Sequence, residues 1–301
     1  MMAFMKTFSL SLPLVLSLLI FAHSSALASS PKDITTFLKV LELRCTEYGW
    51  TDIKPNEIEW EYHRITQRKY PLVFTQFGNS SKKDCILFLG SVHGDELPTV
   101  YVMLKFAQFI KENQAVFKDK CIIIAPLVNP DGFFSKPPKR VNANGVDINR
   151  NFPTRDWRSD AIQQWKGKFH GNGRYYPGKK PGSEQETLFQ IALIKRFKPQ
   201  KILSMHSPLG FYDFDGPSSD LDSFEHWLEK ISRETNHPLK KYGYFPGSLG
   251  NYAGHDQGIF TLTLELPSSD PDKGNEYFQK FQMAILKFIH LPVLIAPVNH
   301  P

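Results

Sequence analysis

Short, unbroken runs of apolar residues, each closed by a turn signal, do most to restrict the folds open to this chain. Cys85-Ile-Leu-Phe-Leu-Gly90 follows Lys-Lys-Asp and stops at a glycine, and Cys121-Ile-Ile-Ile-Ala-Pro126 stops at a proline. A strand with one wet face alternates in polarity, whereas one that is apolar throughout is buried on both faces. Ile202-Leu-Ser-Met205 and Ile259 to Leu266 read as two further strands. Helical spacing of apolar residues fills the intervals: Asp33 to Leu43, Leu97 to Glu112, Glu184 to Phe197 (stopped by Pro199), Ser223 to Thr235 and Asn275 to Leu291. Strands alternating with helices predict the α/β class, with helices sandwiching a mixed, mostly parallel sheet.

The N-terminus reads differently. Lys6 precedes an apolar run from Leu10 to Phe21, and Ala26-Leu27-Ala28 places small residues at an A-x-A cleavage position. The run is shorter than the roughly 20 residues of a membrane span. Residues 1–28 are therefore expected to be a cleavable signal peptide, leaving 273 of the 301 residues and no stable membrane insertion. The remainder divides into an N-terminal extension, 29–61, and a single domain, 62–301. Hydrophobic residues at 41% and charged residues at 22% place that domain among globular proteins rather than disordered or fibrous ones. The formal charge is +6, or +5 without Lys6, and the basic residues are scattered. No basic stripe with interleaved aromatics marks a nucleic-acid surface, and the modest surplus favours an anionic substrate. Three cysteines are too few for a disulfide scaffold. An oxidising compartment allows one pair, but Cys85 and Cys121 each open an apolar run, so they read as unpaired buried strand residues, with Cys45 apart from them.

The predicted strands end in polar groups that suit metal chemistry. After the first comes Gly90-Ser-Val-His93-Gly-Asp-Glu96, whose His-x-x-Glu spacing returns both side chains to one side of a turn. The strand Ile202 to Met205 leads into His206. Two histidines and a glutamate are a ligand set of catalytic zinc, one ion per chain, with a fourth position open for water. The last strand ends Thr263-Leu-Glu265-Leu-Pro267, where flanking leucines raise the carboxyl pKa toward the range of a general base and acid. Each element alone occurs by chance. Their joint placement at strand carboxyl ends, where α/β sheets bind ligands, argues for one site. The long segment Asn129 to Gly182 is rich in Gly, Pro, Asn and Arg, and a loop of that length is usually functional. Within it, Arg150 beside Asn149 suits a carboxylate clamp, and Arg140 suits stabilisation of an oxyanion. Alternatively, these arginines pair with Asp131 or Asp147 and stiffen the loop.

In this order, His93-Gly-Asp-Glu96, Asn129-Pro-Asp-Gly132, Asn144-Gly-Val-Asp-Ile-Asn-Arg150-Asn-Phe152, Met205-His206 and Leu264-Glu265-Leu resemble the M14 family of zinc carboxypeptidases from about Tyr62 to His290. Arg140-Val-Asn-Ala-Asn-Gly, Pro181-Gly-Ser-Glu184 with Glu186-Thr187, and Gly243-Tyr with Pro246-Gly-Ser-Leu-Gly250 resemble one branch of it. That branch hydrolyses the amide between γ-D-glutamate and meso-diaminopimelate in peptidoglycan peptides. The resemblance implies zinc on His93, Glu96 and His206, with Glu265 as catalytic base and acid. It further implies Arg140 at the scissile carbonyl and Asn149 with Arg150 on a substrate carboxylate. The family's mobile tyrosine corresponds to Tyr244, which follows Gly243, rather than to the nearby Tyr242.

The first expectation is thus an exported, periplasmic zinc peptidase acting on peptidoglycan-derived stem peptides. The branch's best-known members recycle wall fragments in the cytoplasm without a signal peptide, so wall-attached stems stand beside free fragments as substrates. A metallocarboxypeptidase for protein C-termini, or an N-acyl amino acid deacylase, is the alternative. A non-catalytic wall-binding module is disfavoured because every catalytic residue type is present.

Overall fold

The computed structural model describes residues 34–79, 84–216, 221–241, 243 and 245–292, with only the backbone of 221–223. Residues 1–28, read as an export signal, and Tyr244 with Tyr242 lie outside the described residues. The strands are β1 (Glu61–Ile65), β2 (Pro71–Gly78), β3 (Cys85–Leu89), β4 (Cys121–Ala125), β5 (Lys201–His206), β6 (Phe211–Gly216) and β7 (Phe260–Glu265). They form one sheet in the order β1-β2-β4-β3-β5-β7-β6. The inner strands β4, β3, β5 and β7 pair in parallel. The outer strands β2 with β1, and β6, join them antiparallel.

Each inner strand sends alternate residues into two cores. From β3, Ile86 and Phe88 enter one core and Leu87 and Leu89 the other. The helices are α1 (Ile34–Glu47), α2 (Leu97–Glu112), α3 (Gln114–Phe117), α4 (Pro130–Phe133), α5 (Ile162–Lys166), α6 (Gln185–Phe197), α7 (Leu221–Thr235) and α8 (Gly274–His290). On the first face α2 supplies Val100 and Phe106, α8 supplies Phe281 and Phe288, and α1 adds Phe37 and Leu41. On the second face α6 contributes Phe189 and Ile194, with Ile148 and Phe152 from the long loop. The result is the expected three-layer arrangement, because a strand apolar at every position needs cover on both sides.

Cys85 and Cys121 correct the expectation of two unpaired cysteines: they form a disulfide. In the parallel register Cys85 lies opposite Cys121, and both side chains enter the second core. Their Cα atoms are 4.4 Å apart, within bonding range. Cys45 is free and buried in the first core, its thiol pushed up to about 12 by burial, with Glu42 and Asp52 adding to the shift.

The long segment Asn129 to Gly182 contains only short turns, among them α4, α5 and one-turn 3-10 helices at Ile148–Arg150 and Gly173–Tyr175. It folds beside the carboxyl ends of the parallel strands, where it walls a cavity of about 340 Å³. No helix among the described residues is long and apolar enough to cross a membrane.

Candidate active site

The cavity forms around residues that three parallel strands deliver. The turn after β3 carries His93 and Glu96, His206 ends β5, and Glu265 ends β7 directly opposite His206 in the register. Gly94 lets the first turn pack: a Cβ there would fall 2.3 Å from the backbone of Gly132 in α4. Asn129 in turn caps α4 by accepting from the Gly132 amide at 2.9 Å, which fixes the chain before Arg140.

His93 Nδ1 lies 2.7 Å from Glu96 Oε1 and 3.2 Å from His206 Nδ1, and His206 Nδ1 is 3.0 Å from Glu96 Oε2. One ligand atom from each residue lies within 4.8 Å of the others, and all three side chains are buried. The far ring nitrogens are held from behind. His93 Nε2 donates to Asp147 Oδ1 at 3.0 Å, and His206 Nε2 pairs with Ser204 Oγ at 2.9 Å. With a proton on its Nε2, His93 turns an Nδ1 lone pair inward. A carboxylate behind a ligating histidine fixes the tautomer and raises its basicity in this way. Burial alone would raise the Glu96 carboxyl, but the two imidazoles hold it well below the usual range, so an anion faces the two nitrogens. An inward N, N, O donor set with backed imidazoles fits zinc.

Asp147 is fully buried. Burial opposes its charge, while Arg140 and His93 hold it ionised. Arg140 Nη2 and Nε reach Asp147 Oδ2 at 2.9 and 3.0 Å, and Nη1 points toward Glu96 at 3.6 Å. The guanidinium lies 5.3 Å from the Tyr175 ring centroid. Of the two partners considered for the arginines, Asp147 therefore takes Arg140. Asp131 instead accepts from Thr66 Oγ1 at 2.6 Å and the Arg68 amide at 3.3 Å.

Asn149 and Arg150 occupy the 3-10 turn that Asp147 caps. Asn149 Oδ1 accepts from the Leu249 amide at 2.8 Å, and the Arg150 guanidinium stacks 4.3 Å from the Phe245 centroid. Gly247, at φ +79°, permits that closeness: a Cβ there would lie 2.0 Å from the Arg150 carbonyl oxygen. Glu265 is half-buried in the same cavity, its carboxyl pushed up to about 8 by burial and then by Glu96.

The structure thus brings His93, Glu96, His206, Glu265, Arg140, Asn149 and Arg150 to one cavity. It adds residues that the sequence reading left out. Asp213 and Asp215 lie two apart on β6, so both face the cavity, while Tyr212 points into the first core. Thr263 Oγ1 donates to Asp215 Oδ2 at 2.9 Å. Burial and the neighbouring Asp213 push the Asp215 carboxyl up to about 7. The alternation Phe211-Tyr212-Asp213-Phe214-Asp215 was the available signal, a strand with one polar face. In the sequence, Asp147 reads only as a salt-bridge partner of the arginines.

Comparison with known proteins agrees with this geometry. The zinc carboxypeptidase Peptidase_M14 family model matches residues 61–283. The chain belongs to that family. Its members use zinc, for which His93, Glu96 and His206 are the fitting group. The chain is 32% identical to murein peptide amidase A of Escherichia coli K12 over 231 residues, 75% of this chain and 88% of that protein. The crystal structure of a murein-tripeptide amidase from Escherichia coli O157 superposes with a TM-score of 0.57 at 26% identity, covering 78% of this chain and 93% of the other. Bovine thrombin-activatable fibrinolysis inhibitor shares the fold at a TM-score of 0.66 and 17% identity, over 85% and 95% of the two chains. The M14 chain described here is accordingly a hydrolase, a metallopeptidase similar to murein peptide amidases.

Proposed function

We propose that this M14 enzyme hydrolyses the amide between γ-D-glutamate and meso-diaminopimelate in peptidoglycan stem peptides. One observation carries the reading: Asn149 and Arg150 share a cavity with the acid pair Asp213, buried, and Asp215, half-buried. Diaminopimelate brings carboxylates together with an ammonium. Its carboxylate suits the guanidinium. Its ammonium suits a pair of carboxylates, of which Asp215 has its ionisation opposed by burial and by the neighbouring Asp213. The similarity to murein peptide amidases supports the same substrate.

Zinc, when bound at His93, Glu96 and His206, supplies Lewis acidity beside the scissile carbonyl. The chain's own residues do the rest. Asn149 and Arg150 fix the leaving residue by its carboxylate. Arg140, held by Asp147, directs Nη1 at charge developing on the carbonyl oxygen. Glu265 accepts a proton from the attacking water and delivers it to the amide nitrogen as the C–N bond breaks. Its burial keeps its affinity for protons high enough for both transfers.

The Cys85–Cys121 disulfide and the signal-like segment 1–28 support an exported, periplasmic enzyme, since disulfides persist in oxidising compartments. A second reading draws on the same acid pair: removal of C-terminal lysine or arginine from α-linked peptides. The zinc-loaded mature enzyme, assayed on L-Ala-γ-D-Glu-meso-diaminopimelate and on α-linked peptides ending in lysine, separates the two. Cleavage of the tripeptide by a wide margin is expected, and the opposite preference overturns the proposal. Fractionation of tagged protein tests export; full-length precursor in the cytoplasm overturns that part.

A further inference from the structure

We propose that Arg174 binds a free carboxylate on the acyl side of the scissile amide, and that this contact selects a γ-linked over an α-linked acyl residue. The inference rests on the γ-D-glutamyl reading above. Arg174 sits on the 3-10 turn Gly173–Tyr175, whose start is capped by the Asn172 side chain accepting from the Arg174 amide at 2.9 Å. Its guanidinium lines the cavity and its side chain is 45% exposed. Nη1 donates to Asp95 Oδ2 at 2.6 Å. Asp95 lies between His93 and Glu96, and its Oδ1 is buried with no partner among the described residues. The Asp95 carboxylate therefore depends on Arg174, and the pair sets the guanidinium's orientation before substrate arrives.

The cavity's other arginines have different tasks. Arg140 is bound to Asp147, and Arg150 is stacked on Phe245. Arg150, Asn149, Asp213 and Asp215 serve the leaving residue. Arg174 approaches the metal-ligand turn from elsewhere, through Asp95 and beside Tyr175, the ring that Arg140 overlies. A substrate with its leaving residue at Arg150 extends its acyl part toward Arg174. Glutamate joined through its γ-carboxyl keeps its α-carboxylate free on that part. An α-linked residue has already spent that carboxyl in the peptide bond. A guanidinium already held by one carboxylate still offers N–H groups to a second.

The test compares the tripeptide L-Ala-γ-D-Glu-meso-diaminopimelate with the analogue whose glutamyl α-carboxylate is amidated. Both are run on zinc-loaded wild-type enzyme and on Arg174→Ala and Arg174→Lys, and calorimetric Kd is measured in a Glu265→Gln background. Loss of one charge-assisted bond corresponds to about 30-fold. The wild type is expected to favour the acid over the amide by about that factor in kcat/KM. Arg174→Ala should lose the preference by slowing the acid alone, Arg174→Lys should restore part of it, and Kd should follow. Wild-type indifference to amidation, or equal slowing of both substrates by Arg174→Ala, overturns the role of Arg174 while leaving the amidase reading intact. Wild-type cleavage of α-linked lysine peptides with neither γ-linked compound cut overturns both. If neither arginine variant folds, the wild-type preference between acid and amide decides.

Discussion

At the residue scale, His93, Glu96 and His206 are set apart from Glu265 by what lies behind them. The histidines lean on Asp147 and Ser204, whereas among the described residues the Glu265 carboxylate accepts only the distant Leu209 amide, at 3.4 Å from its Oε2. His93→Ala should therefore purify without stoichiometric zinc. Glu265→Gln should keep zinc and lose at least about 100-fold in kcat. Asp147→Asn should weaken zinc by about 10- to 100-fold. Metal analysis against a chelator series checks all three, and a Glu265→Gln protein without zinc would contradict the roles. The two arginines should also part. A carboxylate clamp acts in ground and transition states alike, so Arg150→Ala should chiefly raise KM. Arg140→Ala should lower kcat by roughly 100-fold. Steady-state kinetics giving the same profile for both would remove the division of labour.

His237, also at this scale, couples stability to pH. Its Nε2 donates to the Glu265 carbonyl at 2.8 Å, and its ring lies between Tyr212 and Phe281. Burial is the main cause that pulls its pKa down to about 4, and Lys280 adds to it. The unfolded chain takes up this proton near 6.5 while the folded one does not. The stability that His237 contributes is thus present above pH 6.5 and lost as pH falls toward 4. Urea midpoints should drop more steeply over that range for the wild type than for His237→Gln. Parallel slopes would show that other groups set the acid limb.

At the element scale, legibility followed burial. Strands β3 and β4 announced themselves because every residue is buried, and a continuous apolar run has few other uses. β1, Glu-Tyr-His-Arg-Ile, is largely exposed at the sheet edge, and its pairing with β2 is set by contacts far along the chain. β6 has no element assigned to it in the sequence, because its aspartates face a cavity that other segments build. The candidate metal group was legible because His-x-x-Glu is local and the other groups sit at strand ends. The acid pair was not, since nothing near Asp213 indicates what it faces. Lys201 shows the same blindness. It stands at the start of β5, and its ammonium donates to the carbonyls of Phe288, Ile289 and Leu291 at the end of α8. Charged groups at a helix C-terminus satisfy carbonyls that have no intrahelical partner. Lys201→Met should cost about 2 kcal/mol in urea unfolding, with the zinc content unchanged. A loss below about 0.5 kcal/mol would mean that water replaces the ammonium.

On the scale of the whole molecule, the two cores share one sheet, and the Cys85–Cys121 disulfide joins its central strand β3 to the adjacent β4. The bond closes a loop with a sequence separation of 36. Chain-entropy arguments give about 3–4 kcal/mol for that length. The Cys85→Ala, Cys121→Ala double variant should unfold at lower urea by that order while keeping the active-site geometry and zinc. An unchanged midpoint would place the bond's effect in the folded state rather than in the restricted unfolded chain.

The state of the cysteines also makes the enzyme convenient to label. Two sulfurs are oxidised, and the third, Cys45, is buried with a thiol that ionises only near pH 12. The native protein is therefore silent toward maleimides, which need an accessible thiolate. A cysteine placed at Val116 or Met283, at 67% and 59% exposure on outer helices, becomes the sole reactive position. A fluorophore or spin label can then be attached at a known point without first removing any natural cysteine.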